Sequence, residues 1–192
     1  MKSPGKAGVE LYVAVANLHI QSGKFTEAEE QYQLAMKIGP DDIRVLLGYA
    51  RLKDQMKQPE EALKYYRRAE KKYPKQASVY NNLAVHYVRC GQLGEAIEAG
   101  RRAVELRPRE PRFRNNLAAV FVEAGLPQEA FKQLREVYDE PVAHYDLGFL
   151  LNRRGLKAAA LQEYTIALSP NPGMALAPRS SRGRSAPISV AE

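Results

Sequence analysis

Apolar residues recur at three- and four-residue spacings along most of the chain, the period of helices that each bury one stripe, and the stripes are cut at regular intervals by Gly and Pro. The cuts are themselves periodic. Pro40, Pro74 and Pro108 stand 34 residues apart, and Pro172 follows after 64. Ala28, Ala62, Ala96 and Ala130 keep the same 34-residue step, after which Ala160 comes 30 residues on. Gly23, Gly91, Gly125 and Gly155 share the phase, with Lys57 in place of a glycine in the second copy. Because Leu117 and Leu147 are also 30 apart, one repeat is four residues short, and the gap lies between Ala130 and Leu147. Five repeats follow: 9–42, 43–76, 77–110, 111–140 and 141–174.

Each repeat reads as two helices joined by a turn. Thr26 with Glu29 has the T-x-x-E spacing of a capping box at the second helix of repeat 1, which predicts a side-chain cap there. Pro59, Pro111, Pro127 and Pro141 fall where a first-turn proline loses no hydrogen bond. Small residues mark close approaches, with Ala16, Ala50, Ala84, Ala118 and Gly148 in the first helices and the alanine series above in the second. Tyr32, Tyr66 and Tyr164 share a second-helix position four residues after the alanine, on the same face.

The pattern resembles the tetratricopeptide repeat (TPR) family over about 166 of the 192 residues. Repeat 3 supplies the match at Tyr80, Leu83, Ala84, Tyr87, Gly91, Ala96, Ala103 and Pro108, and repeat 1 at Tyr12, Gly23, Ala28, Tyr32, Ala35 and Pro40. The resemblance implies an all-α fold, a right-handed α-solenoid of five helix-turn-helix repeats with the fourth shortened. Three positions depart from it. Lys53 replaces the first-helix aromatic in repeat 2, and Gly100 and Leu134 replace the second-helix aromatic in repeats 3 and 4. A glycine at 100 predicts unfilled volume where a ring packs, and hence a soft junction between repeats 3 and 4.

By the same resemblance, the first helices line a concave groove that binds a peptide segment of another protein. The groove positions carry Asn17, Arg44, Arg51, Asn81, Asn82, Arg89, Arg112, Asn115, Asn116 and Arg153, with Tyr145 and Phe149 turning the last repeat apolar. Asparagine suits the task, since its amide both donates to and accepts from a peptide backbone whatever the peptide's sequence. The family's carboxylate clamp is matched only in fragments: Leu47 and Arg51, then Asn82, then Arg112 and Asn116 occupy its positions.

Composition adds a second candidate surface. Twenty-nine Lys and Arg against 22 Asp and Glu give a net charge of +7, which favours acidic partners. Lys64, Arg67, Arg68, Lys71, Lys72 and Lys75 recur at helical spacing, and Arg101, Arg102 and Arg135 repeat the phase of Arg67 and Arg68. This makes a basic stripe on the convex side, whose alternative uses are binding nucleic acid or an anionic surface and simple solvation beside Glu60, Glu61, Glu70, Glu98 and Glu105; solvation is favoured.

Catalytic, metal and cofactor chemistry find no motif in the inventory, so a non-enzymatic adaptor without a cofactor is expected. His86 and Cys90 are spaced for a weak contact on one helix face, but read as packing residues, as do His19 and His144. One cysteine excludes an internal disulfide, and the absence of a secretory leader or a long apolar run leads to a cytoplasmic expectation. Residues 1–8 read as a short arm and 175–192 as a flexible basic tail. The final helix, with Leu161, Tyr164, Ile166 and Leu168, is left uncapped and is a candidate homodimer surface.

Overall fold

The computed structural model describes residues 8–169 and holds ten helices joined by short turns, with no strand among the described residues. They are α1 (Val9–Gln21), α2 (Phe25–Ile38), α3 (Ile43–Gln55), α4 (Pro59–Lys72), α5 (Ala77–Arg89), α6 (Leu93–Leu106), α7 (Pro111–Glu123), α8 (Pro127–Arg135), α9 (Glu140–Arg153) and α10 (Lys157–Leu168). The chain divides into an N-terminal body ending at His86 and a C-terminal body beginning at Tyr87. Pro172 and the basic tail at 175–192 lie outside the described residues, as does the arm up to residue 7.

One turn design recurs inside all five repeats. Glycines 23, 91, 125 and 155 take φ between 72 and 82°, and Lys57 takes the same left-handed region at 59°. In each turn the chain closes with an N–H···O bond spanning five residues: Lys24 to His19, Gln58 to Lys53, Gln92 to Tyr87, Leu126 to Phe121 and Leu156 to Leu151. This is the Schellman closure, and a residue with positive φ is what permits it. Pro59, Pro111, Pro127 and Pro141 all stand in the first turns of their helices.

Thr26 does not cap α2. The helix begins at Phe25 with Lys24 at its N-cap and no side-chain cap bond, so Thr26 is already inside the first turn. Glu29, the other half of the expected box, is drawn away to Tyr49 and Lys53 of α3. Side-chain caps occur instead at Asp42, which accepts from the Arg44 amide at 2.9 Å, and at Asp139, which accepts from that of Val142 at 3.2 Å.

Packing follows the alanine series. Ala28, Ala62, Ala96, Ala130 and Ala160 are buried, as are Ala16, Ala50, Ala84 and Ala118, which lets helices approach closely. In the N-terminal body α1 packs on α2, α3 on α4, and α3 returns to both α1 and α2. In the C-terminal body α6 packs on α7, α7 on α8, α8 on α9, α7 on α9 and α9 on α10. The short repeat loses its residues from the end of α8, which has 9 residues where α2, α4 and α6 have 14.

The expected void at Gly100 is filled. A Cβ at that position would meet Leu117 Cδ1 at 2.9 Å, so the leucine of α7 occupies the volume a ring would take. Tyr32 and Tyr164 are received by glycines in the same way. A Cβ on Gly48 would meet the first ring at 2.7 Å, and one on Gly148 the second at 2.8 Å.

Candidate protein-binding faces

In the N-terminal body the first-helix residues are partly spent on the fold. Tyr32 is buried beneath α3 and donates to Asn17 Oδ1 at 3.0 Å. Burial pushes its phenol up, an effect opposed by the charge and hydrogen bond of Arg51. Arg44 grips Asp42 through two guanidinium nitrogens at 2.9 and 2.5 Å and reaches Glu10 at 2.8 Å. The Arg44 hydrogen bonds hold Asp42 below the usual carboxylate range. On α5, Asn82 donates from Nδ2 to the Ser78 carbonyl at 2.7 Å, and Asn81 is half-buried beside it.

In the C-terminal body Arg112 and Arg153 are exposed, with the Arg112 guanidinium 4.7 Å above the Phe113 ring centre. Asn115 donates from Nδ2 to the Tyr138 hydroxyl at 2.8 Å, while its Oδ1 is buried without a hydrogen-bond partner. Asn116, Tyr145 and Phe149 are half-buried, and the Tyr145 ring leans on Tyr164 at 5.6 Å. Arg89 is exposed at the end of α5. Leu47, at a clamp position, is buried in the N-terminal body, so it presents no group to a carboxylate.

The basic-stripe residues Lys64, Arg67, Arg68, Lys71, Arg101, Arg102 and Arg135 are all exposed. Several carry local partners. Arg67 pairs with Glu70 at 2.7 Å, Arg68 and Lys72 share Asp41 at 2.9 and 3.0 Å, and Arg102 pairs with Glu105 at 2.9 Å. Arg135 donates to the Tyr138 carbonyl, and Arg101 lies 5.8 Å from the Phe121 ring centre. Tyr66 is buried, and Tyr73 bonds the Asp41 carbonyl at 2.6 Å, so neither is presented for base stacking.

Two polar clusters, each built around a buried side chain, Lys53 or His86, were not foreseen from the sequence. Lys53 lies inside the N-terminal body with Nζ at 2.6 Å from Glu29, 2.8 Å from Glu61 and 3.0 Å from Gln58. Burial works against its charge, but the bonds to Glu29 and Glu61 outweigh it and raise the pKa. Burial and the Glu29 carboxylate push the neighbouring Tyr49 phenol up to about 12. In the second cluster, His86 Nδ1 sits 2.7 Å from Asp54 Oδ1, and Tyr66 donates to Asp54 Oδ2 at 3.0 Å. Helical phase puts Lys53 and Asp54 on inward faces, and that was the available signal.

His86 is therefore committed to Asp54, and Cys90 is exposed beyond the end of α5. His144 bonds Glu163 at 2.6 Å and stacks on Phe131, a packing role. Among the described residues no group of three His, Cys, Asp or Glu is placed to hold a metal ion, and no helix is long and apolar enough to cross a membrane.

Helix pairs of one design, closed by one turn and stacked through alanine and aromatic positions, define an all-α helical-repeat solenoid. The family model for the tetratricopeptide repeat matches residues 19–85 and 55–120, and the chain belongs to that family. No curated protein matches it. Among solved structures it is similar to MamA, with 19% identity and a TM-score of 0.62 over 88% of this chain and 98% of that one. A thermophilic TPR protein of Thermus thermophilus shares 20% identity with a TM-score of 0.65, covering 87% and 93%. YrrB, described as a TPR protein with an unusual peptide-binding site, shares 20% identity with a TM-score of 0.57, covering 88% and 90%.

Proposed function

We propose that this protein is a non-enzymatic adaptor that holds an extended segment of another protein along its first helices. The tetratricopeptide fold is that of a protein–protein interaction scaffold. The observation that carries the finer reading is the half-used asparagine. Asn17 spends Oδ1 on Tyr32, Asn82 spends Nδ2 on its own helix, and Asn115 spends Nδ2 on Tyr138. Asn17 and Asn82 each keep the other end of a fixed amide for a peptide C=O or N–H, whereas Asn115 Oδ1 is buried, and a pre-set rotamer lowers the entropy lost on binding. Asn81 in the N-terminal body and Asn116 in the C-terminal body are further candidates, with Arg51, Arg89, Arg112 and Arg153 supplying positive charge suited to an acidic segment, while Arg44 is engaged by Asp42 and Glu10. Tyr145 and Phe149 are the candidate anchors for an apolar side chain. A cytoplasmic setting accords with a sequence whose one cysteine, Cys90, has no second cysteine to form an internal disulfide with.

The test is nuclease-treated affinity capture from lysate, with the wild type beside Asn82→Ala/Asn116→Ala. A partner retained by the first and lost by the second is the expected result. If retention is equal in the two and disappears with nuclease or added salt, the basic stripe is the binding surface and the reading fails.

A further inference from the structure

The outermost described helices expose apolar residues at positions that the interior helices cover wholly or in part. Counting from the first residue of each repeat, position 3 holds Leu11, Val45, Phe113 and Ala143 in α1, α3, α7 and α9, and position 10 holds Leu18, Leu52, Val120 and Leu150. Val45 and Leu52 are 0% exposed and join one core cluster with Val9 and Ala16 of α1 and Ala28, Tyr32 and Ala35 of α2. They are covered by the preceding hairpin. The corresponding residues of α7 and α9 are buried as well. In α1, with no described helix before it, Leu11 and Leu18 are 55% and 63% exposed.

The opposite end is the complement. Position 21 of a second helix is the residue that reaches forward to the next hairpin. Glu29 there bonds Tyr49 and Lys53 of α3, and Phe131 stacks on His144 of α9 at 4.3 Å. In α10 that position is Leu161, 67% exposed, and Leu168, seven residues on along the same face, is 44% exposed. The two open faces also match in chemistry. Where Glu29 meets the polar Tyr49 and Lys53 at positions 7 and 11, α1 offers Val15 and His19, and α10 brings a leucine.

We propose that α10 of one copy packs on α1 of a second copy, continuing between molecules the hairpin-on-hairpin interface that builds each body. The occupant is a second copy because the chain itself carries both halves of that interface, with Leu11 and Leu18 exposed on α1 and Leu161 and Leu168 exposed on α10. The contact joins two different patches, so every copy added leaves one of each open, and assembly proceeds head to tail instead of stopping at a two-fold dimer. This differs from pairing α10 with α10, and it is independent of the peptide-binding reading.

Sedimentation velocity on the full chain tests it, with Leu18→Glu and Leu161→Glu measured alone and mixed in equal amounts. Wild type is expected to sediment faster as concentration rises, passing beyond dimer. Each variant alone is expected to associate at least about tenfold more weakly. The mixture is expected to form a one-to-one dimer and stop, because only the α10 of Leu18→Glu and the α1 of Leu161→Glu remain intact. Circular dichroism checks that the helices persist, and Leu11→Gln/Leu18→Gln serves as the milder α1 variant. A wild type that is monomeric at every soluble concentration overturns the proposal, whether the faces are covered within the chain or reserved for another protein. So does a Leu18→Glu variant that self-associates like wild type, the mark of an α10–α10 contact, or a mixture that stays monomeric.

Discussion

Two junctions between consecutive hairpins, α2 onto α3 and α6 onto α7, solve the same packing problem with large and small residues exchanged. In the first, the second helix supplies the bulk, with the Tyr32 ring received by Gly48. In the second, the second helix supplies the gap, and Leu117 of α7 fills the space over Gly100. The first junction adds a buried ammonium, Lys53, held by Glu29, where the second has no counterpart at that position: Tyr87 stands there in α5, and Phe121 in α7. At each of these junctions a bulky side chain on one side fits a glycine on the other, so packing requires complementary shapes across the junction and not a given residue on either side of it.

The largest effect is expected from breaking the charged element that sets the junctions apart. Lys53→Ala leaves Glu29 without its ammonium and should cost about 3 to 5 kcal/mol by urea unfolding, while Lys53→Met, which fills the space, should cost much less when made together with Glu29→Gln. Next comes the exchange of volumes. Gly48→Ala drives a Cβ into the Tyr32 ring and should cost roughly 2 to 3 kcal/mol. Gly100→Ala meets only the tip of Leu117 and recovers helix propensity, so its net effect should stay within about 1 kcal/mol.

A smaller effect separates the junctions by pH. Burial raises the Glu29 pKa, but hydrogen bonds from Lys53 and Tyr49 outweigh it and leave the carboxyl below its ordinary value. The stabilisation from Glu29 is therefore fully present above the unfolded-state pKa of about 4.3 and is lost as pH falls through the lower folded value. Urea midpoints of wild type and Glu29→Gln should differ at neutral pH and converge in acid. The smallest effect concerns the cap that does not form. Thr26→Ala should change stability by less than about 0.5 kcal/mol, against about 1 kcal/mol for a working N-cap.

The repeat, its turns and its alanine contacts were legible because each depends on a residue type at a fixed period: a positive φ at Gly23 needs no partner to be named. The misreadings share one cause. Whether Gly100 leaves a hole depends on Leu117 in the next repeat, and whether Glu29 caps its own helix depends on Lys53 beyond the following turn. Periodicity within a repeat carries no information about such compensation across a junction. The candidate binding residues fall between these cases. Asn17, Asn82 and Asn115 were found by position, but the use of half of each amide for packing came from Tyr32, Ser78 and Tyr138, which their positions did not indicate.

The most direct test of the adaptor account is calorimetric titration of one captured partner segment into wild type and into Asn82→Ala/Asn116→Ala, each at low and moderate salt. The account predicts binding by wild type that survives the added salt and falls at least about tenfold, roughly 1.4 kcal/mol, in the double variant. Equal affinity for the two proteins, declining steeply with salt in both, would contradict it.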